Sequence, residues 1–526
     1  MKKNIYIWSI MLLMVMVTGC REESDVVQNY AFNDGLNFKE AENSYAGKFK
    51  VLWKALNQNY SIWDYERSFG LDWDAVYDEF LPKYEALDQR NDVTNAELGK
   101  LLEETVAPLH DGHLVAQMKN HQTGDFVLVS PSKLRVSQRD DYQVSDNFTP
   151  NLNAYLPTAQ GGNGDIEVYK EASTSFGEQL VAVYKKEGMG YQWASAEADR
   201  LRELPSRTDK EDFLLEGLDN FVSAFGTMIQ HIIKGYSDAD ILQEYNQLAL
   251  TYQYLQIPGL HSIHNGFLKQ GIDVKYALFR NKVAYFYLSG FDLTPYMSDE
   301  YADQFFPGAN AQTKEAIKQV YNVWDSWFKA VQELHAAGQL RGVIIDVRSN
   351  GGGMLNDYKY VLGSLLPSGG YDIGMARFKR GLGRYDYSPL VSARFPTLEE
   401  SHDAISEPIV VLCNCGSVSM SEMTALGCKT LPNGTLIGKT THGGLCALHG
   451  DASSYTIDYA GIVGEQDTTP VWLYIPTMVT MSKEGQIFEG IGLTPDIEVS
   501  FDQSLSKTTG RDTQLERALQ FMNTGH

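Results

Sequence analysis

The segment Gly342-Val-Ile-Ile-Asp346-Val-Arg348-Ser-Asn350-Gly351-Gly352-Gly353 constrains this chain more than any other. Its apolar opening, Gly342–Val347, reads as a buried strand. That strand breaks into a charged and amide cluster followed at once by glycines, which let a backbone turn sharply and bring its N–H groups against a ligand. A plain glycine turn after a strand has the same composition, so it is the Asp-x-Arg-x-Asn context that points to a site.

Around it the chain has the character of an α/β core. From Val274 short apolar runs alternate with helical stretches. Strands are predicted at Val283–Leu288, Pro408–Cys413, Thr435–Gly438, Val471–Ile475 and Thr477–Ser482, and helices at Thr313–Ala337 and Ser421–Thr430. The core is drawn over residues 271–505, with a C-terminal helix over 506–526. Residues 20–120 are read as a linker and a helical domain, because Asn37 to Leu102 shows amphipathic spacing anchored by Trp53, Tyr60, Trp63, Trp73 and Tyr77. Residues 121–270 form an inserted region, partly helical, without a chemical motif. Its Gln160–Asp165 stretch looks like a linker, and Phe213 to Tyr254 has helical spacing.

Charge narrows the partners. With 67 acidic against 44 basic residues the formal charge is −23, which repels phosphate backbones, so nucleic acid is not expected. Residues 1–19 read as a signal peptide: Lys2 and Lys3 precede an apolar run, Ile5 to Val17, too short for an ordinary spanning helix. The run ends in Val17-Thr18-Gly19-Cys20, which looks like a bacterial lipobox and makes Cys20 the expected lipid site, anchoring the protein to a membrane. The acidic tail behind it suggests the outer membrane. Four cysteines remain, Cys413, Cys415, Cys428 and Cys446. A bridge between the first two is geometrically poor on a strand, and their spacing does not suit a zinc cluster.

A second feature, Cys413-Asn-Cys-Gly416-Ser417-Val-Ser419-Met-Ser421-Glu422, carries a strand into a helix through small residues. A serine there can expose its oxygen at a sheet edge beside helix N–H groups. The same Ser-Met-Ser-Glu spacing fits a capping box, in which Ser419 merely caps the helix. The Gly-x-Ser-x-Gly elbow of the α/β-hydrolases is missing.

Taken in order, the two features resemble the tail-specific (C-terminal processing) serine proteases and the related tricorn core, over roughly Val274 to Phe501 and more weakly over Asn37 to Gln117. The resemblance implies a ββα-spiral core of the Clp/crotonase-like kind, with Ser419 as nucleophile. In one branch a lysine serves as base; here the matching Thr441-His442-Gly443-Gly444 has glycine in its place, and Lys429 and Lys439 are out of register. The tricorn-like branch instead draws a histidine from an Asp-Gly-His turn. That turn is present in Leu109-His110-Asp111-Gly112-His113 and nominates His113 as base, with His442 as the rival. The branch's Glu-Gly-x-Gly-x-x-Pro-Asp segment, here starting at Glu489, supplies the carboxylate. The oxyanion would be held by the N–H of Met420 and one from Gly352 or Gly353. No metal or other cofactor is expected: His110-x-x-His113 and His261-x-x-His264 lack the His-Glu-x-x-His pattern. The expected substrate is a peptide or unfolded protein. The family fold also occurs in interphotoreceptor retinoid-binding protein, so a non-catalytic peptide- or lipid-binding module is the alternative. No Gly-Leu-Gly-Phe-like carboxylate-binding loop is found in the inserted region.

Overall fold

The computed structural model describes residues 35–145, 148–174, 194–204, 206–234, 272–305, 311–399, 402–446 and 461–525. The stretch read as a signal peptide, Cys20, His261 and His264 lie outside them, as does the predicted helix beyond residue 234. No described helix is long and apolar enough to cross a membrane.

Along the chain come α1 (Tyr45–Asn59), α2 (Trp63–Ser68), α3 (Trp73–Asp88), α4 (Asn95–Val106), β1 (Val115–Lys119), β2 (Phe126–Val129) and α5 (Pro131–Val136). Then follow β3 (Ile166–Ser173), α6 (Asp209–Lys234), β4 (Asp273–Phe279), β5 (Val283–Leu288), α7 (Ala311–Ala336) and β6 (Gly342–Asp346). Further along lie β7 (Tyr371–Phe378), β8 (Val391–Phe395), β9 (Ile409–Cys413), α8 (Met420–Thr430), β10 (Gly434–Gly438), β11 (Gly461–Val463), β12 (Val471–Ile475), β13 (Met478–Met481), β14 (Ile497–Glu498) and α9 (Thr513–Thr524), with shorter helices between them. This is a mixed α/β fold.

Local chemistry starts the helices where they start. The Ser44 hydroxyl accepts the Gly47 N–H at the head of α1, and Thr94 with Glu97 closes a capping box on α4. Their apolar faces bury Tyr60, Trp63 and Trp73, while Trp53 and Tyr77 pack at the edge of that core. Each large side chain buried there contributes roughly 1.5–3 kcal/mol.

The central sheet has seven strands in the order β14-β10-β9-β6-β5-β4-β3. β5, β6, β9, β10 and β14 run parallel, while β4 and β3 pair antiparallel. Its edge strand β3 comes from the inserted region, so the boundary drawn at residue 270 runs through the sheet rather than beside it. A second sheet, β11-β12-β1-β2, pairs β12 from the core with β1 from the N-terminal part. This crossing carries the Asp-Gly-His turn, just ahead of β1, to the loop that follows β10.

The charged pair after β6 is scaffold. Arg348 lies between Asp346 at 2.6 Å and Asp512 at 2.7 Å, with Arg348 and Asp346 sealed from solvent and Asp512 nearly so. Asp512 also caps α9 through the N–H groups of Gln514 and Leu515. The C-terminal helix is thereby locked under the sheet, where Leu515, Ala518 and Met522 meet Ile344, Val410 and Ile437. Breaking one partner of such a buried pair strands the other charge, at a cost of about 3–5 kcal/mol.

Candidate active site

Two loops at the carboxyl ends of β6 and β9 are clamped together. Asn414 Oδ1 accepts the N–H groups of Ser349 at 2.8 Å and Gly416 at 3.0 Å. Ser417 donates to the Val347 carbonyl and Ser421 to the Asn350 carbonyl, both at 2.7 Å. Between these clamps Ser419 adopts φ 57° and ψ −116°, a region that costs a non-glycine residue about 1–3 kcal/mol. A simple helix cap has extended backbone. The capping box read from the sequence is present in outline, with the Glu422 carboxylate accepting the Ser419 N–H at 3.3 Å, but its serine stands in this strained conformation. The strained strand-to-helix turn of a nucleophile elbow is therefore present without its usual sequence.

Gly352 lies against that turn. A Cβ built on it would stand 2.6 Å from Ser419 Cβ and 3.0 Å from the Met420 nitrogen, at φ +94°. Only glycine fits there. Its own N–H is donated to Asn350 Oδ1 at 2.9 Å, so of the expected oxyanion donors the Gly352 amide is already committed. Met420 opens α8, where an N–H has no intrahelical partner.

Glu422 joins the serine turn to the next loop. One of its oxygens accepts the Thr441 hydroxyl at 2.6 Å and the Gly443 N–H at 2.8 Å; the other accepts the Gly444 N–H at 2.7 Å. On Gly443 and Gly444 rests the Asp-Gly-His turn, whose Gly112 packs backbone to backbone on Gly444. Glu489 then fastens that turn: it accepts the Gly112 N–H at 2.7 Å and also the Cys446 N–H. Both Glu422 and Glu489 are fully buried. Backbone contacts and carboxylates thus link the segments bearing Ser419, His113, His442 and Glu489.

Their side chains are less closely engaged. Glu489 gives its oxygens to backbone amides, not to the His113 ring, and His113 Nδ1 is buried without a partner. No hydrogen bond joins Ser419 Oγ to an imidazole among the described residues. Catalytic hydrogen bonds of this kind commonly tighten only in the substrate complex. His442 stands beside His113, with its N–H donated to the Ser417 carbonyl at 3.1 Å and its ring bonded to the Cys415 backbone.

Burial holds both imidazoles neutral. It lowers His113 to about 4, helped by the nearby His442, and lowers His442 to about 4 against its Cys415 bond. The unfolded chain, with its imidazoles near 6.5, binds protons that the folded one refuses. The contribution of the two imidazoles is consequently full above that value and is lost as the pH drops toward about 4, by up to about 3 kcal/mol per imidazole. Raised buried acids such as Asp111 act in the opposite sense over the same window, so the histidine effect is read as a difference: the urea midpoint of the wild type should lose ground to that of His442→Ala as the pH falls from 6.5 to about 4. A midpoint difference that stays constant over that range would contradict neutral burial of His442.

Residues 309–499 match the model of peptidase family S41. The match runs from α7 to β14 and includes the serine turn, both glycine loops and Glu489. The carboxy-terminal-processing protease of Bartonella bacilliformis is 29% identical over 171 residues, which is 32% of this chain and 34% of that relative. The chain thus aligns with about a third of that relative's length. Among solved structures, mature CPAF has a TM-score of 0.44 at 11% identity, covering 92% of this chain and 99% of that one. The photosystem II D1 C-terminal processing protease has a TM-score of 0.26 at 20% identity, covering 41% and 42%.

Some contributors to the site carry no signal of their own in the sequence. Glu422 of the matched segment is visible there only as a capping residue, Asn414 only as a loop amide, and Asp111, outside that segment, only as part of a turn. Nothing in their spacing shows that one carboxylate collects donors from two loops. Cys413, Cys415, Cys428 and Cys446 are buried and unpaired.

Proposed function

We propose that this chain is a serine peptidase that cleaves peptide bonds in exported peptides or proteins through an acyl-enzyme. The single observation that carries the reading is the strained backbone of Ser419 at a strand-to-helix turn, flush against Gly352 and the Met420 nitrogen. Capping a helix does not require that conformation; presenting a hydroxyl to a substrate does.

A serine hydroxyl is almost never ionised near neutral pH and needs a base as it attacks. His113, kept neutral by burial, takes that proton and returns it to the leaving amine. The tetrahedral oxyanion is received by the N–H groups of Met420 and Gly353, each worth roughly 3–4 kcal/mol by comparison with other oxyanion holes. Water then releases the acyl group from Ser419. Glu489 supports the base by fixing its turn rather than by touching its ring. The leader ahead of Cys20 supports exported substrates.

A serine-directed fluorophosphonate decides between peptidase and binding module. The wild type should be labelled and Ser419→Ala should not. Equal labelling of the two would remove the nucleophile assignment.

A further inference from the structure

We propose that Asp111 and Glu489 form one buried carboxyl pair holding a single proton, and that this pair positions His113 through the amides of residues 112–114. The inference rests on the peptidase reading and adds Asp111 to it as a positioning residue.

The hydrogen bonds define the device. Asp111 Oδ1 accepts the N–H groups of His113 at 2.7 Å and Leu114 at 2.8 Å, while Glu489 accepts the N–H of Gly112 at 2.7 Å. Three consecutive amides of the base-bearing turn are therefore held by two acids. Both acids are fully buried, and an oxygen of each lies within 4.8 Å of the other and of the Cys446 sulfur. Two carboxylates this close in a buried site do not both ionise.

The proton has one natural place. Both Glu489 oxygens and Asp111 Oδ1 already receive backbone N–H donors, whereas Asp111 Oδ2 is buried with no partner. A carboxylate oxygen without a donor is the one that keeps a proton. A metal ion fits poorly at the same cluster, because three of its four carboxylate oxygens are committed to amides. The facing groups reinforce the charge count. Glu66 and Glu422 add negative charge, Arg135 offsets part of it, and the Tyr60, Tyr65 and Tyr474 hydroxyls and the Cys446 thiol are uncharged.

Burial and mutual repulsion raise both acids above the usual carboxylate range. As the pH rises the shared proton leaves, and the second charge pushes the acids apart and loosens the turn under His113. The wild-type kcat/KM on a peptide should therefore fall on the alkaline side through an ionisation that Asp111→Asn removes. Asparagine keeps the Oδ1 acceptor and places an N–H where the Oδ2 proton stood. Asp111→Ala, which loses the acceptor, should lower kcat about 100-fold with KM little changed, because the turn carries the base and not the substrate. Superimposable pH profiles for wild type and Asp111→Asn overturn the proposal, while Ser419-dependent cleavage leaves the peptidase reading standing. Infrared spectroscopy tests the pair even if no peptide is cut. The wild type should show the carbonyl absorption of buried protonated carboxyls at neutral pH, with one component missing from Asp111→Asn; an absorption identical in the two proteins sinks the idea.

Discussion

In Ser419→Ala, kcat/KM on any peptide the wild type cleaves is expected to fall by at least about 1,000-fold, with the urea midpoint little changed. The alanine removes the attacking oxygen and nothing that holds the turn, since the clamps run through Ser417, Ser421, Asn414 and Glu422. His113→Ala should fall as far. Groups that act as a unit are strongly non-additive, so the double variant should be no worse than either single one. His442→Ala should lose at most about tenfold, because its ring serves the Cys415 backbone. Loss of turnover in His442→Ala alone would transfer the role of base to that residue. The measurement is steady-state cleavage of a fluorogenic peptide, with protein stability followed in parallel.

How much of this is legible in the sequence depends on what each residue faces. β5 is read to the residue, Val283–Leu288, because every position is buried and so every residue is apolar. β6 and β9 are read nearly as well for the same reason. β8 escapes, since three of its five positions face solvent and no apolar run marks it. The pairing of β12 with β1 also escapes, because it joins residues such as Val115 and Tyr474 whose neighbourhood is set by the whole fold. It is this pairing that delivers the Asp-Gly-His turn.

The site divides along the same line. Ser419, His113 and Glu489 stand in local motifs, so a resemblance can nominate them. The positive φ of Ser419 and of Ser349 leaves no trace in residue type. Nor does the loss of the Gly352 N–H to Asn350, which only the folded loop reveals. Buried carboxylates are the least legible of all, because Glu422 and Asp111 acquire their roles from amides far away or around a turn. A glutamate in a first helical turn is ordinary until two other backbone segments close over it.

Gly112→Ala is the second large effect expected, and it falls on packing rather than on chemistry. A methyl there would stand 2.3 Å from Gly444 Cα, 2.6 Å from the Gly443 carbonyl oxygen and 2.9 Å from the Gly444 nitrogen. All three are backbone atoms, and Glu422 holds both glycines by their amides, so no flexible side chain can yield. The turn must lift instead, stretching the Gly112 bond to Glu489 and carrying His113 with it. Overpacking of this kind costs roughly 1–3 kcal/mol of stability. A displacement of about 1 Å at a catalytic group costs on the order of 100-fold in rate. Gly99→Ala gives the comparison, because the added methyl meets only the Val127 side chain at 3.8 Å and the position is helical. That variant should gain about 0.5–1 kcal/mol and keep full activity. If Gly112→Ala were as active as Gly99→Ala, the Asp-Gly-His turn would have no part in turnover, and a base would have to be found on the 441–444 loop alone.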